Sequence, residues 1–199
     1  MSNPTRADGS QLAPSRELEV DGKSIRVFDG HLPDVGLYVT TLSAAAYTRN
    51  EIAKPETSQF RHWTTEVRLK SLVQQPLFEL TKRAVKCFIK PGHGYRPYRA
   101  YTNVSNFGDV IFTHTDCAVD EGGLTALWYM CNQWEIDWGG ETVFYDETGE
   151  IGAAVKPAPR RLVVFDGEIQ HVGRPPMRNC FETRYTFAIK FERLRLPTP

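Results

Sequence analysis

The sequence predicts a mainly β domain, a sandwich or barrel, preceded in the chain by a helical layer. After Gly94 short apolar segments recur with turn residues between them, the pattern of an all-β core. Before it, Leu77, Leu80, Ala84 and Phe88 recur at the spacing of one helix face. The whole chain is 199 residues, 41% of them hydrophobic and 24% charged, which suits a single core.

In chain order, residues 1–15 are rich in Ser, Pro, Asn and Gly and are expected to form a mobile tail, with residues 16–199 as one domain. Residues 24–28 alternate polar and apolar like a half-buried strand, and Asp29-Gly30 turns it. Pro33 and Asp34 open a helix that runs to about Ala44. Residues 47–67 read as one or two strands joined by an exposed loop over 53–58. Pro76 suits a first helical position, so an amphipathic helix is expected over 76–89, ended by Pro91-Gly92-His93-Gly94. The expected strands of the β half are 98–104, 110–115, 124–131, 141–145, 152–156, 161–165, 169–172 and 184–191. No internal repeat is visible.

Composition removes several function classes. Lys+Arg and Asp+Glu are equal, so the formal net charge is zero, which argues against a general electrostatic grip on nucleic acid or anionic membrane. No segment approaches the apolar length of a membrane span, and residues 1–14 lack the apolar stretch of a secretory signal. Cys87, Cys117, Cys131 and Cys180 form no CxxC pair and read as reduced thiols, so a cytoplasmic location is expected.

The chemistry is carried by His114, Asp116 and His171. His114 and Asp116 lie two apart at the end of an expected strand, so period two puts both side chains on one face. Taken alone, such a pair is commonplace on surface strands. His171, far along the chain in another expected strand, supplies a third donor. Two histidines and one carboxylate make the facial triad of non-haem Fe(II) oxygenases, which leaves coordination positions open. Arg184 begins the last expected strand and shares a face with the small residues Thr186 and Ala188. By itself it reads as an arginine at a strand end reaching solvent; turned inward it needs an anion, and a small dicarboxylate would give a bidentate pair. Other candidates have plainer readings. His31 and His62 are expected on the surface or in loops, and His93 and Gly139-Gly140 in turns. Arg160-Arg161 reads as a solvated turn, Trp128 and Trp134 as packing, and Cys117 as a small core residue.

The ordered set His114-Thr115-Asp116, Trp138-Gly139-Gly140-Glu141-Thr142, Arg161 to Gly167, His171-Val172 and Arg184-Tyr185 resembles the Fe(II)- and 2-oxoglutarate-dependent dioxygenases, in particular their prolyl-hydroxylase-like branch. The resemblance spans roughly residues 98–191. It implies a double-stranded β-helix, the jelly roll of cupin-like proteins, with N-terminal helices. It implies Fe(II) held by His114, Asp116 and His171, with 2-oxoglutarate as co-substrate, O2 as oxidant and ascorbate as reductant. It further implies that Arg184 pairs with the distal carboxylate of 2-oxoglutarate, that Tyr129 hydrogen-bonds the same group, and that Tyr101 lies near it. The interval from His171 to Arg184 is longer than in that branch, which leaves Arg174 and Arg178 as rivals for the carboxylate role.

The expected activity is oxidation of an unactivated C–H bond in a small metabolite, with no nucleic-acid or membrane partner. A peptidyl prolyl hydroxylase is the alternative within the class, and a non-catalytic β-helix that binds metal or acid is the alternative outside it. A halogenase is disfavoured because, by the same resemblance, halide needs the position that Asp116 fills. Residues 47–67 are expected to form the substrate lip, with Arg49, Arg61 and Trp63 as its contacts, since irregular segments beside a rigid core often carry selectivity.

Overall fold

A computed structural model describes residues 11–195. The strands and helices are β1 (Arg16–Val20), β2 (Lys23–Phe28), α1 (Val35–Ser43), β3 (Thr48–Glu51), β4 (His62–Glu66), α2 (Leu69–Leu72), α3 (Pro76–Val85), β5 (His93–Ser105), β6 (Leu124–Met130), β7 (Thr142–Tyr145), β8 (Ile151–Val155), β9 (Leu162–Asp166), β10 (Gln170–Gly173) and β11 (Arg184–Arg195). They form an eight-stranded sheet in the order β1-β2-β9-β6-β11-β5-β4-β3 and a three-stranded sheet in the order β10-β7-β8. The strand pairings within both sheets are antiparallel.

The near-continuous apolar runs of β6, β9 and β11 are explained by burial on both faces of the large sheet. Period two sorts their side chains. Ala126, Trp128 and Met130 of β6, with Phe187 and Ile189 of β11, face the helices and pack on Leu72, Leu77, Phe78, Ala84 and Val85. Tyr129, Val163 and Phe165 face the small sheet and pack on Phe144 and Val155. Each large apolar side chain buried this way contributes about 1.5–3 kcal/mol. The indole N–H of the fully buried Trp128 is not left unpaired, since it donates to Thr81 Oγ1 of α3 at 2.9 Å.

The helical segments follow local chemistry. Asp34 caps α1, its carboxylate accepting from the Leu37 N–H at 3.2 Å. Pro76 opens α3, whose buried face is Leu77, Phe78, Thr81, Ala84 and Val85. The α-helix stops at Val85 and a 3₁₀ turn over Lys86–Phe88 completes the segment expected to be helical to residue 89.

Four expectations are corrected. Residues 11–15 are attached to the body: Leu12 is buried, and its N–H reaches the Arg83 carbonyl at 3.3 Å. The rest of the expected tail, residues 1–10, lies outside the described residues. Residues 110–115 form no strand; only His114 is paired, in an isolated bridge to His171. His93 begins the long strand β5 instead of sitting in a turn. β1 is a strand the sequence does not predict, an edge strand whose charged residues carry little periodic apolar signal, whereas β3 and β4 are two strands within residues 47–67 as expected.

Candidate metal centre

The inner face of the large sheet carries the site. β11 directs Arg184, Thr186, Ala188 and Lys190 inward, and β5 directs Tyr101, Asn103 and Ser105 to the same side. Register sets Arg184 beside Ser105, Thr186 beside Asn103 and Ala188 beside Tyr101. His114, His171, Thr125, Leu127 and Thr142 close the same cavity.

His114 and His171 are held by a mutual backbone pair, N–H to O=C at 3.0 and 2.9 Å. Asp116 is held by its N–H to the Gly167 carbonyl at 2.7 Å. Gly167 permits this approach, because a Cβ there would meet Cys117 Sγ at 3.0 Å and the Gly123 carbonyl at 3.2 Å. So His114 and Asp116 converge through these backbone contacts and not, as expected, through the period of a strand.

Each imidazole is oriented by a carbonyl. His114 Nδ1 is 3.0 Å from the Phe112 carbonyl and His171 Nδ1 is 2.9 Å from that of Ile169. A carbonyl only accepts, so Nδ1 carries the proton and the Nε2 lone pair of each ring is directed inward. Both Nε2 atoms lie 3.5 Å from the Asp116 carboxylate, and the three donor atoms are all within 4.8 Å of one another. Burial against Phe144 and Phe165 pushes the His171 imidazole down to about 4, which keeps it neutral. Burial pushes the Asp116 carboxyl up, but Lys190 and the two histidines outweigh it and hold the group well below the usual carboxylate range. Two imidazoles and one carboxylate, preset and facing one point, are the donor set that suits a non-haem Fe(II).

Arg184 is 4% exposed. Its Nε donates to the Gly140 carbonyl at 2.7 Å and Nη2 to Thr142 Oγ1 at 3.2 Å. Gly140, at φ +78°, belongs to this contact: a Cβ there would meet Trp134 at 2.9 Å and Arg184 Cδ at 3.3 Å. Among the described residues no carboxylate lies within ion-pair distance of the guanidinium, and burial lowers its pKa. A buried cation with free donors on a cavity wall calls for an anionic ligand. Arg174 and Arg178 are exposed, and Arg174 turns to the Tyr145 hydroxyl at 3.1 Å, so neither enters the cavity. Tyr129 lies behind the wall, its hydroxyl 2.7 Å from Thr142 Oγ1 and 3.0 Å from the Val155 carbonyl. Tyr101 lines the cavity directly.

The expected lip residues are corrected. Glu51, Ile52, Ala53 and His62 line the cavity, whereas Arg49, Arg61 and Trp63 do not. β4 alternates, so His62 and Thr64 turn in and Trp63, 40% exposed, turns out, where the Arg49 guanidinium lies 5.9 Å from its ring centroid. Arg49 also spends its Nε on the Arg61 carbonyl at 2.9 Å. His62, read from sequence as a surface or loop residue, is buried beside the metal-ligand candidates; burial first, then His114, lowers its pKa. Its Nε2, with Asn103 Oδ1 and Ser105 Oγ, is a buried polar atom without a protein partner on this cavity. Lys190, Thr125 and Thr142 were also missed. Lys190 alone had a visible signal, its even spacing from Arg184 along β11.

Comparison with known proteins agrees with this geometry. Residues 100–191 match the family model described as the 2OG-Fe(II) oxygenase superfamily. No curated protein matches the chain. Among solved structures, the chain is similar to a prolyl hydroxylase from Trichoplax adhaerens in complex with a hypoxia inducible factor peptide fragment (TM-score 0.60, 16% identity, 84% of this chain and 83% of that one). It is similar to an oxidoreductase of the 2OG-Fe(II) oxygenase family from Burkholderia pseudomallei (TM-score 0.64, 13% identity, 87% of each chain). It is also similar to HygX from Streptomyces hygroscopicus with nickel and 2-oxoglutarate bound (TM-score 0.61, 11% identity, 84% of this chain and 82% of that one). At these identities the structural likeness speaks for the fold, a jelly roll of the expected kind. Through residues 100–191, then, the chain is similar to the 2OG-Fe(II) oxygenase superfamily, whose enzymes use Fe(II), 2-oxoglutarate and O2.

Proposed function

We propose that this oxygenase oxidises an unactivated C–H bond of a small organic metabolite. In this reading His114, Asp116 and His171 hold Fe(II), and Arg184 pairs with the far carboxylate of 2-oxoglutarate, steadied by Thr142 and, behind it, Tyr129. The observation that carries the reading is one shared cavity: His114, His171 and a buried Arg184 with no carboxylate partner among the described residues line the same walls, and Asp116 lies 3.5 Å from both imidazoles. Bound iron, with 2-oxoglutarate and O2, supplies the oxidising power. The chain supplies the rest. The carbonyls of Phe112 and Ile169 keep the imidazole lone pairs aimed inward, and the sheet orients whatever enters.

Cavity size supports a compact substrate. The cavity's free volume, about 70 Å³, is small against the about 300–1,000 Å³ usual for small-molecule sites, so its enclosed part leaves no room for a bulky substrate. The partnerless atoms of His62, Asn103 and Ser105 suit a substrate with hydroxyl, amine or amide groups, since buried polar atoms otherwise cost free energy. The fold does not decide between substrate classes, because similar structures include both a peptide-bound prolyl hydroxylase and HygX with hygromycin B bound. Four free cysteines, with no disulfide to maintain, support a reducing compartment such as the cytoplasm. The described residues contain no helix long and apolar enough to cross a membrane.

A mass-spectrometric screen with Fe(II), 2-oxoglutarate and ascorbate tests the proposal. A metabolite gaining oxygen, or losing two hydrogens, with matched succinate is the expected result. Efficient hydroxylation of proline-containing peptides, with no metabolite turned over, would overturn the small-molecule part.

A further inference from the structure

We infer that Lys190 is an internal cation of the metal centre, which weakens binding of the divalent metal and strengthens binding of the dianionic co-substrate. The inference rests on the Fe(II)/2-oxoglutarate reading of the site.

Lys190 projects from the inner face of β11, six residues beyond Arg184, next to an irregularity in the β5 pairing between Lys190 and Phe191. It is 6% exposed. Its ammonium forms an ion pair with Asp116 Oδ2, donates to Thr125 Oγ1 at 3.1 Å, and lies 5.7 Å from the Tyr101 ring centroid. Thr125 also donates to Asp116 Oδ2, at 2.5 Å. One carboxylate oxygen is thus claimed twice, while Oδ1 faces His114.

The charge count gives the consequence. The Asp116 carboxylate alone would offer an incoming divalent cation a charge of minus one. With Lys190 in contact, the pair is neutral. Buried charges this close are poorly screened, so the ammonium opposes the metal at the carboxylate they share. The co-substrate meets the opposite field. Arg184 and Lys190 line the same cavity, and the acid on its wall, Glu51, is already paired through both oxygens with Arg99 at 3.0 and 2.7 Å. A dianion entering there gains from Lys190 what the metal loses. A purely structural lysine behaves differently, because its removal would disorder Asp116 and weaken both ligands.

Calorimetric titration with Co(II), then with 2-oxoglutarate on the Co(II)-loaded protein, separates these cases in wild type, Lys190→Gln and Lys190→Met. The expected result is Co(II) bound at least about tenfold tighter and 2-oxoglutarate at least about threefold weaker in both variants, as follows from removing one nearby unit charge. If a variant folds poorly without metal, it is refolded with Co(II) and challenged with a chelator; slower metal loss than wild type supports the inference. Weaker or unchanged Co(II) affinity, or faster loss to the chelator, overturns it while leaving the family reading intact. Wild type that binds neither Co(II) nor 2-oxoglutarate overturns the reading of the site and this inference with it.

Discussion

Arg184 shows how one residue's surroundings define its ligand. Its guanidinium is out of water, two of its donors are spent on Gly140 and Thr142, and no carboxylate pairs with it among the described residues. Charge-assisted bonds to an anion are typically worth about 1.5–3 kcal/mol, so Arg184→Met is expected to weaken 2-oxoglutarate by about tenfold to a hundredfold. Tyr129→Phe removes a hydroxyl whose partners are Thr142 and Val155, and its effect on the same titration is expected to be several-fold at most. A larger loss in Tyr129→Phe would mean that Tyr129 and not Arg184 carries the contact. At the donor set, His171→Ala removes an inward lone pair fixed by the Ile169 carbonyl, and is expected to abolish most Co(II) binding while leaving the far-UV circular dichroism unchanged. Full metal stoichiometry in that variant would take His171 out of the site.

At the scale of the element, strand parity decides which side chains reach the chemistry. β4 is five residues long, and a shift of one position exchanges its faces. Of residues 47–67, Glu51, Ile52, Ala53 and His62 line the cavity, whereas Arg49, Arg61 and Trp63, the contacts the sequence suggests, do not. Trp63 and Arg49 drew attention because large aromatics and cations so often contact ligands; here they contact each other on the outside. His62 reads as an ordinary surface or loop residue, since nothing local reveals that it lines the same cavity as Asn103 and Ser105. The metal triad was legible for a different reason: its residue types are distinctive and their order along the chain matches a family. Even so, the period argument that joined His114 to Asp116 does not hold, because the segment is not a strand and the bridge to His171 does the work. Lys190 was hidden inside an apolar run, where only knowledge of the inward face gives it meaning. The structure therefore predicts that His62→Ala lowers substrate-coupled succinate formation at least about tenfold, as expected where a buried polar contact is lost. Trp63→Ala is expected to leave it within about twofold, as for an exposed position away from the site. The reverse order in a coupled succinate assay would return the lip to the outer face.

For the whole molecule, the question is whether the metal holds the fold together or is merely bound by it. Small metal domains unfold when chelated, because the ion replaces a core they lack. This chain has two cores, one between the large sheet and the helices and one between the sheets, and neither is built around the donor triad. The most exposed electrostatic risk without metal is Asp116, buried and charged, and Lys190 already compensates it. Burial pushes the His171 imidazole down to about 4, so that ring adds no second buried cation beside Lys190. Chelation is therefore expected to leave secondary structure and cooperative unfolding intact. Ligands that bind only the folded state still stabilise it, by about 2.7 kcal/mol at a hundred times the Kd. For a domain of this length that corresponds to a rise in Tm of roughly 5–10 °C. Co(II) with 2-oxoglutarate should produce a shift of this order in thermal unfolding of wild type, Co(II) alone a smaller one, and 2-oxoglutarate without metal smaller still. Arg184→Met should keep the Co(II) shift and lose most of the further gain from 2-oxoglutarate. Loss of the cooperative transition on chelation would instead make the metal part of the fold, and the two cores insufficient without it.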